Sequence, residues 1–210
     1  MPSPQIILEG LRTTANHRVW LAVVWHVAFG AALAAVALGW RPDRRLAGGL
    51  CAIPLASVSV LAWMAGNPFN GTVFAILAAG LVVQAMRLSG GRVELAMPWG
   101  LAAGGILAAF GWTYPHFLEG RSWATYLYAA PLGLVPCATL SALVGIALMI
   151  DGVGSRGWAM TLATGGVAYG LIGWLRLGVT IDVVLLAGAV GLGLAAMLRR
   201  KATAAMPRRV

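Results

Sequence analysis

Polar side chains that can bind or react lie in two short segments of the sequence. The segment around Asn67 and Asn70 carries two amides, and residues 114–121 hold a tyrosine, a histidine, an acid and an arginine. Amide, phenol and imidazole groups bind polar solutes through hydrogen bonds. The alternative is that Glu119 and Arg121 are solvated neighbours that simply pair. None of the common catalytic or nucleotide-binding motifs occurs in the sequence, so nothing in it indicates an enzyme.

Two histidines, His26 and His116, are the candidates for a haem or metal ligand. As an axial pair they would bind a haem or share a metal ion. In the alternative, His26 is a buried histidine hydrogen-bonded between helices, and His116 is an unrelated loop residue. Two histidines without a third ligand make a poor metal site, and Cys51 and Cys137 lack the paired spacing of a zinc or redox motif. We therefore expect no metal and no cofactor.

Two prolines, Pro131 and Pro136, interrupt the apolar stretch 126–150. A proline nitrogen cannot donate to the carbonyl four residues earlier in a helix. Lipid cannot satisfy a carbonyl freed in this way, so the freed groups must face protein or a wet cavity. The sequence therefore predicts a helix that is broken or sharply kinked between Ala130 and Cys137.

Hydroxyl groups and loop residues complete a hypothetical site at this break. Thr139 and Ser141 can bond carbonyls of the preceding turn. Small transporters bind their ligands where irregular backbone lies at membrane depth. The alternative is a gentle proline kink with no binding role. The hypothesis is an outward-facing pocket bounded by Asn67, Asn70, Tyr114, His116, Pro131 and Pro136.

The composition indicates a membrane environment for these segments. Of the 210 residues, 60% are hydrophobic and 10% are charged, whereas a soluble domain is roughly half apolar and about a quarter charged. This excludes a soluble enzyme, a disordered protein and a fibrous repeat. A net charge of +9 would suggest nucleic acid in a soluble protein. Here the basic residues lie between apolar segments and at the C-terminus, so topology explains them and we expect no nucleic-acid partner.

Seven apolar segments are candidates for membrane-spanning helices, which need about 20 residues each. None shows the alternation of a barrel strand. Two pairs are separated only by residues 66–68 and 176–178 and must be antiparallel hairpins. The sequence thus predicts an all-α, seven-helix transmembrane bundle with spans at 19–39, 46–66, 69–88, 95–113, 126–150, 157–175 and 179–198.

Basic residues are unequally divided between the two sides of this bundle. Four lie on the side of the N-terminus and eleven on the other side. Loops rich in lysine and arginine stay in the cytoplasm. We therefore predict the N-terminus outside and the C-terminus in the cytoplasm. The four are Arg12, Arg18, Arg121 and Arg176, and the eleven are Arg41, Arg44, Arg45, Arg87, Arg92, Arg156, Arg199, Arg200, Lys201, Arg208 and Arg209.

Ionisable residues are nearly absent from the interior of the predicted spans. Only His26 lies clearly within one, and all six acids fall at span boundaries. Asp182 is interpreted as favouring the start of the last helix through the helix dipole. The sequence therefore does not predict the buried acid that proton-coupled transporters need.

Three regions are expected along the chain. Residues 1–18 are either a short helix in the membrane interface or a partly ordered leader to the first span. A signal peptide is disfavoured because the apolar run continues past Ala34 to a full spanning length. Residues 19–200 form a single transmembrane domain, followed by a basic cytoplasmic tail at 201–210. Two GxxxG pairs, at 100–104 and 166–170, are expected to pack helices within the bundle.

Three motifs together carry a resemblance. They are Gly66-Asn67-Pro68-Phe69, Tyr114-Pro115-His116 and Pro131-Leu132-Gly133-Leu134-Val135-Pro136-Cys137. Over roughly residues 60–200 the sequence resembles an uncharacterised family of bacterial polytopic integral-membrane proteins. Residues 178–182 fit a closing Gly-Val-x-x-Asp of that family, whereas Ala138 stands in place of its second proline. The resemblance implies the fold and the membrane location, but not an activity.

Three classes of function remain for a multi-pass protein of the bacterial inner membrane. The favoured class is a small transporter or permease-like protein with an outward-facing site. The second is a non-catalytic accessory subunit of a membrane complex, and the third a haem- or metal-binding membrane protein. The expected partner is the lipid bilayer, and the further candidates are other membrane proteins or a second copy of the chain.

The orientation generates a direct test. A fluorescent reporter fused after Val210 should be active because the positive-inside rule places this end in the cytoplasm. A periplasm-dependent phosphatase fused at the same residue should be inactive. Activity of the phosphatase fusion alone would contradict the topology.

Overall fold

A computed structural model describes residues 3–205 of the chain. The described residues are overwhelmingly helical and form no strand. The predicted all-α class is therefore confirmed. The helices are α1 (Pro4–His17), α2 (Val19–Ala37), α3 (Arg44–Leu50), α4 (Ala52–Met64), α5 (Pro68–Met86), α6 (Pro98–Thr113), α7 (Tyr126–Ala129), α8 (Pro136–Met149), α9 (Arg156–Leu171) and α10 (Asp182–Ala205).

Three of the described helical stretches are long and apolar enough to cross a membrane, which indicates a membrane protein. They are α2, the nearly continuous stretch Arg44–Met64 that joins α3 to α4, and α5. Pro54 accounts for the interruption at Cys51, because it cannot donate to the carbonyl of Leu50.

Three of the other four predicted spans contain shorter helices, whereas α10 has 24 residues. α6 and α9 have 16 residues each, and α8 has 14 because the chain is broken before Pro136. The described apolar part of α10 is Asp182–Leu198. Prolines and glycines thus divide the apolar sequence into shorter helices than its hydropathy suggests.

The break predicted between Ala130 and Cys137 is present. The chain leaves helical geometry after α7, and Pro136 opens α8 as its first residue, where its missing N–H costs nothing. Gly133 lies between them with φ +73°, a conformation that side chains disfavour. A Cβ at this position would also overlap the indole of Trp25. The break therefore requires glycine at 133.

Side chains from other helices satisfy the backbone that the prolines leave free. The indole of Trp112 donates to the carbonyl of Leu127 at 2.7 Å, the carbonyl that Pro131 cannot reach. Ser57 donates to the carbonyl of Gly133 at 2.8 Å. The freed groups that these bonds satisfy therefore face protein, as predicted.

Of the two hydroxyls expected to help, only one does. Thr139 donates to the carbonyl of Val135 at 2.8 Å and accepts from the Gly133 N–H at 2.9 Å. The buried hydroxyl of Ser141 has no hydrogen-bond partner among the described residues, so the prediction is wrong for Ser141.

Glycines bring helix backbones into direct contact in the centre of the fold. A Cβ on Gly104 would lie 2.5 Å from the carbonyl oxygen of Gly145, which joins α6 to α8. A Cβ on Gly170 would lie 2.9 Å from the Cα of Leu186, which joins α9 to α10. Both GxxxG pairs therefore pack helices within the chain, as predicted.

The segments between the helices form two separate groups, and hydrogen bonds join the members of each group. In the first, which we call the α1 end, Asn16 of α1 donates to the carbonyl of Phe117 at 2.8 Å and accepts from the Glu119 N–H at 3.1 Å. In the second, which we call the arginine end, the Val93 N–H donates to the carbonyl of Pro42 at 2.9 Å. Loops that the sequence assigns to the same side therefore contact each other.

Gly133 provides a test of the break. Gly133→Ala should destabilise the protein by about 1–3 kcal/mol or more, because positive φ is strained for alanine and its methyl meets Trp25. Gly105→Ala is the control, since its methyl enters open space on α6 and helix propensity improves. Unfolding of the purified variants in mixed micelles measures both effects. Equal stability of the two variants would contradict the account.

Candidate functional site

A buried carboxylate, that of Asp182, lies at the first residue of α10. Its side chain is 1% exposed. The hydroxyl of Tyr114 donates to Asp182 Oδ1 at 2.6 Å, and the thiol of Cys137 donates to Asp182 Oδ2 at 3.0 Å. We call these three residues the Asp182 cluster. Asp182 lies in the first turn of α10, as the helix-dipole interpretation expects, but it is also buried and hydrogen-bonded, which that interpretation did not include.

Three separate features of the fold bring the Asp182 cluster together. Tyr114 follows the last residue of α6, and Cys137 is the second residue of α8, immediately after the break. Gly173 lies in the π-helical turn Ile172–Arg176 that ends α9. A Cβ on Gly173 would overlap the carboxylate of Asp182, so glycine makes room for the acid.

The charge of this carboxylate is not balanced by a nearby cation. Among the described residues, no arginine, lysine or histidine forms an ion pair with Asp182. Both oxygens instead accept hydrogen bonds from neutral donors. Burial of an unpaired charge is costly, and intramembrane acids mark ion and proton pathways.

A second polar pair lies nearby, between α5 and α9. The hydroxyl of Tyr169 donates to Asn70 Oδ1 at 2.9 Å, and both side chains are buried. The Asn70 N–H donates to Asn67 Oδ1 at 3.1 Å, which caps the start of α5. The ring of Tyr169 packs edge-on against Phe74 at a centroid distance of 5.0 Å. These contacts fix the amide of Asn70 and the phenol of Tyr169.

A cavity of about 100 Å³ adjoins both groups. Its wall includes Asn70, Cys137, Tyr169 and Gly173, and Arg176 lies at its exposed side. Asp182 does not line the cavity, but it contacts two residues that do, Cys137 and Gly173. A volume of this size holds several water molecules or a small solute, since one water needs about 10–15 Å³ on this measure.

A neighbouring cavity of about 170 Å³ shares part of this wall. Asn67, Asn70 and Pro136 line both cavities. Ile7 and Leu11 of α1 also line both, so the N-terminal helix covers the two cavities from one side. Residues 4–17 therefore form part of the site rather than an extended leader.

The structure brings together some of the six predicted site residues. Asn67, Asn70 and Pro136 lie on the cavity walls, and Tyr114 lies behind Cys137 in the Asp182 cluster. Pro131 is buried and lines neither cavity. His116 lies in the loop beside α1, where its ring packs against Phe117 at 4.4 Å, and it lines neither cavity.

The two histidines occupy different surroundings. Both ring nitrogens of His26 face backbone carbonyls, of Ala22 at 2.8 Å and of Trp112 at 3.0 Å. His26 thus joins α2 to α6. Among residues 3–205, no group of three or more His, Cys, Asp or Glu side chains could hold a metal ion.

Sequence reasoning missed Asp182, Tyr169 and Gly173. A partial signal was available for Asp182, because the apolar residues Ile181 and Val183 flank it although it lies near the start of the predicted span. Tyr169 and Gly173 carried no local signal, since their roles depend on contacts with α5 and α10.

Comparison with models of known protein families, with curated proteins and with solved structures finds no match.

The environment of His116 generates a prediction of pH dependence. Burial lowers the pKa of His116, and the nearby Arg12 guanidinium lowers it further. The folded state therefore favours the neutral ring, so its contribution to stability is present above about pH 6.5 and is lost as the pH falls through the folded-state pKa. His116→Gln should flatten this part of the profile.

Thermal unfolding of the detergent-solubilised protein between about pH 8 and about pH 5 measures the effect. Arg12→Gln is the companion variant, because it removes the cation and should weaken the dependence. If the thermal stability of His116→Gln depends on pH as strongly as that of the unmodified protein, other groups cause the acid sensitivity.

Proposed function

We propose that the protein is a small, proton-coupled, multi-pass transporter of the bacterial inner membrane. In this proposal Asp182 carries the proton, and the cavity lined by Asn70, Cys137 and Tyr169 binds a small polar solute. The observation that carries the proposal is the buried Asp182 carboxylate, which has no basic partner among the described residues and adjoins a cavity at a broken helix. Proton-coupled transporters need such an acid.

The proposal includes seven spans, with the N-terminus outside and the C-terminus in the cytoplasm. The division of basic residues, eleven to four, supports this topology. Contacts within the α1 end and within the arginine end also support it. The cavities are lined by residues of the α1 end, so this orientation makes the site outward-facing. Membership of the uncharacterised bacterial family that the three motifs resemble belongs to the same proposal.

Binding of a proton to Asp182 would change the hydrogen bonds at the wall of the cavity. The ionised carboxylate accepts from Tyr114 and from Cys137. A protonated carboxyl oxygen carries its own O–H donor and is a weaker acceptor, so the hydrogen bond from one of the two incoming donors weakens. The thiol is the weaker donor and would be released. Because Cys137 lines the cavity, this release couples protonation of Asp182 to the solute site.

The wall of the cavity is mostly apolar, and a few polar groups on it can form hydrogen bonds with a small solute. The Asn70 amide and the Tyr169 hydroxyl provide neutral hydrogen-bonding groups, and Arg176 provides a positive charge at the exposed side. Arg176 has no ion-pair partner within the described part of the chain. A carboxylate group on the solute is the chemistry that this arginine binds best.

An accessory-subunit role is the second candidate, and the exposure of α2 favours it. Only 17% of its apolar window is buried inside the structure, against 50% for Arg44–Met64. An exposed helix offers a lateral surface to a helix of a partner protein. Mass spectrometry of the natively purified protein distinguishes the two roles, because an accessory subunit brings a stoichiometric partner.

Asp182→Asn tests the transport function. The purified protein is reconstituted in vesicles that contain a pH-sensitive dye, and small carboxylates, amines and amino acids are added outside. We expect solute-dependent proton uptake with the unmodified protein and its loss in Asp182→Asn, because an amide cannot carry the proton.

Asp43→Asn is the matched control, since Asp43 is an exposed acid at the arginine end. It should retain uptake. Equal uptake by Asp182→Asn and the unmodified protein would exclude Asp182 as the proton carrier.

A further inference from the structure

An apolar cleft of about 240 Å³ separates one side of α2 from α3, α4 and α8. It lies away from the site described above and shares none of its lining residues with the two cavities there. Its wall is almost entirely hydrophobic. The lining includes Trp25, Ala32, Val36, Trp40, Pro42 and Val93.

The cleft exists because α2 is anchored along only part of its length. The buried residues of α2 are Ala22, His26 and Phe29, all in its first eleven positions. Trp25 and His26 hold this part through bonds to Ser57 and to the carbonyl of Trp112. From Gly30 to Ala37 no residue is buried, so this half of α2 leaves a gap beside the bundle.

The length of the cleft matches one leaflet of a bilayer. The lining residues Trp25 and Val36 are eleven positions apart on α2, which corresponds to about 16 Å at helical rise. Half of a hydrocarbon core of about 30 Å is about 15 Å. A lipid acyl chain therefore fits the cleft along its length and by its chemistry.

Positive charge lies where the cleft reaches the arginine end. Arg41 stands between two wall residues, Trp40 and Pro42, and Arg92 directly precedes the wall residue Val93. Trp40 is exposed, as expected of a tryptophan at headgroup level.

The acids of this region do not neutralise its arginines. Four arginines lie in residues 41–45 and at position 92, against three acids, Asp43, Glu94 and Asp151, the last of which follows the wall residue Ile150. Glu94 is already paired with Arg44 at 2.9 Å. Neither Arg41 nor Arg92 has an ion-pair partner among the described side chains. A phosphate group is the anion that such arginines bind at a membrane surface.

We propose that the cleft binds one acyl chain of an anionic phospholipid, whose phosphate lies at Arg41 and Arg92. The apolar wall binds the chain, and the unpaired arginines select the negative headgroup. A zwitterionic lipid would contact the same apolar wall but bind more weakly, because its headgroup has no net negative charge for the arginines to attract. The site is independent of the transport function proposed above, because it involves neither the Asp182 cluster nor its cavities.

Titration of the purified full-length protein with two lipids of identical acyl chains tests the proposal. The probes are phosphatidylglycerol and phosphatidylethanolamine, and native mass spectrometry counts the bound molecules. We expect phosphatidylglycerol to bind at least about five-fold more tightly, the factor that one surface arginine supplies. The double variant Arg41→Gln, Arg92→Gln should lose this preference. Because Arg41 is half-buried and donates to the carbonyls of Val36 and Trp40, thermal unfolding of the variant checks that its fold is kept.

A pair of alanines on α2 tests the cleft itself. Ala32 lines the cleft, whereas its neighbour Ala31 is exposed and does not. Ala32→Phe should fill the cleft and reduce binding of both lipids several-fold, and Ala31→Phe should leave binding unchanged.

Three results would overturn the proposal. The first is equal binding of the two lipids by the unmodified protein. The second is an equal effect of Ala31→Phe and Ala32→Phe. The third is a dimer that Ala32→Phe dissociates with lipid binding unchanged, which would make the cleft an interface between copies. Inorganic phosphate should not compete at the concentration of lipid used, since it gains nothing from the apolar wall.

Discussion

Between α7 and α8 the backbone leaves helical geometry inside an apolar stretch. Much of the structure depends on which groups form hydrogen bonds with the free backbone carbonyls of that segment. Lipid offers no donor to a free carbonyl. Trp112 of α6, Ser57 of α4 and Thr139 of α8 supply the donors instead. The break therefore ties three helices together, and it cannot be straightened without leaving buried polar groups unpaired.

The same break also determines the positions of the side chains that form the candidate site. Because α8 begins at Pro136, the thiol of Cys137 lies at the start of a helix rather than in its middle. There it reaches Asp182, while Pro136 contributes to the wall of both cavities. Gly173 accommodates the carboxylate from the opposite side. A structural requirement of the backbone and a candidate binding site thus share the same residues.

The two groups of loops have different characters. At the α1 end, the N-terminal helix covers small cavities that contain neutral polar groups and one arginine. At the arginine end, several arginines surround the mouth of an apolar cleft. Small polar molecules suit the first arrangement, and the lipid surface suits the second. The sequence asymmetry of basic residues therefore has a physical counterpart in the structure.

Local sequence patterns determined the helical class, the position of the break and the internal packing of the GxxxG pairs. Each depends on residues close together in the chain: a missing N–H at Pro131 and Pro136, or small side chains one turn apart. Half of the predicted site, Asn67, Asn70 and Pro136, was also found on the cavity walls.

Only the tertiary structure decided which polar residues act together. Asp182 is buried because Tyr114, Cys137 and Gly173 meet it from three separate helix ends, and no local pattern records such a meeting. His116 was included in the predicted pocket because it lies in the same short loop as Tyr114, yet the structure packs its ring against Phe117, away from both cavities. Hydropathy overstated the lengths of several helices, since it records apolar character and not where prolines end a helix.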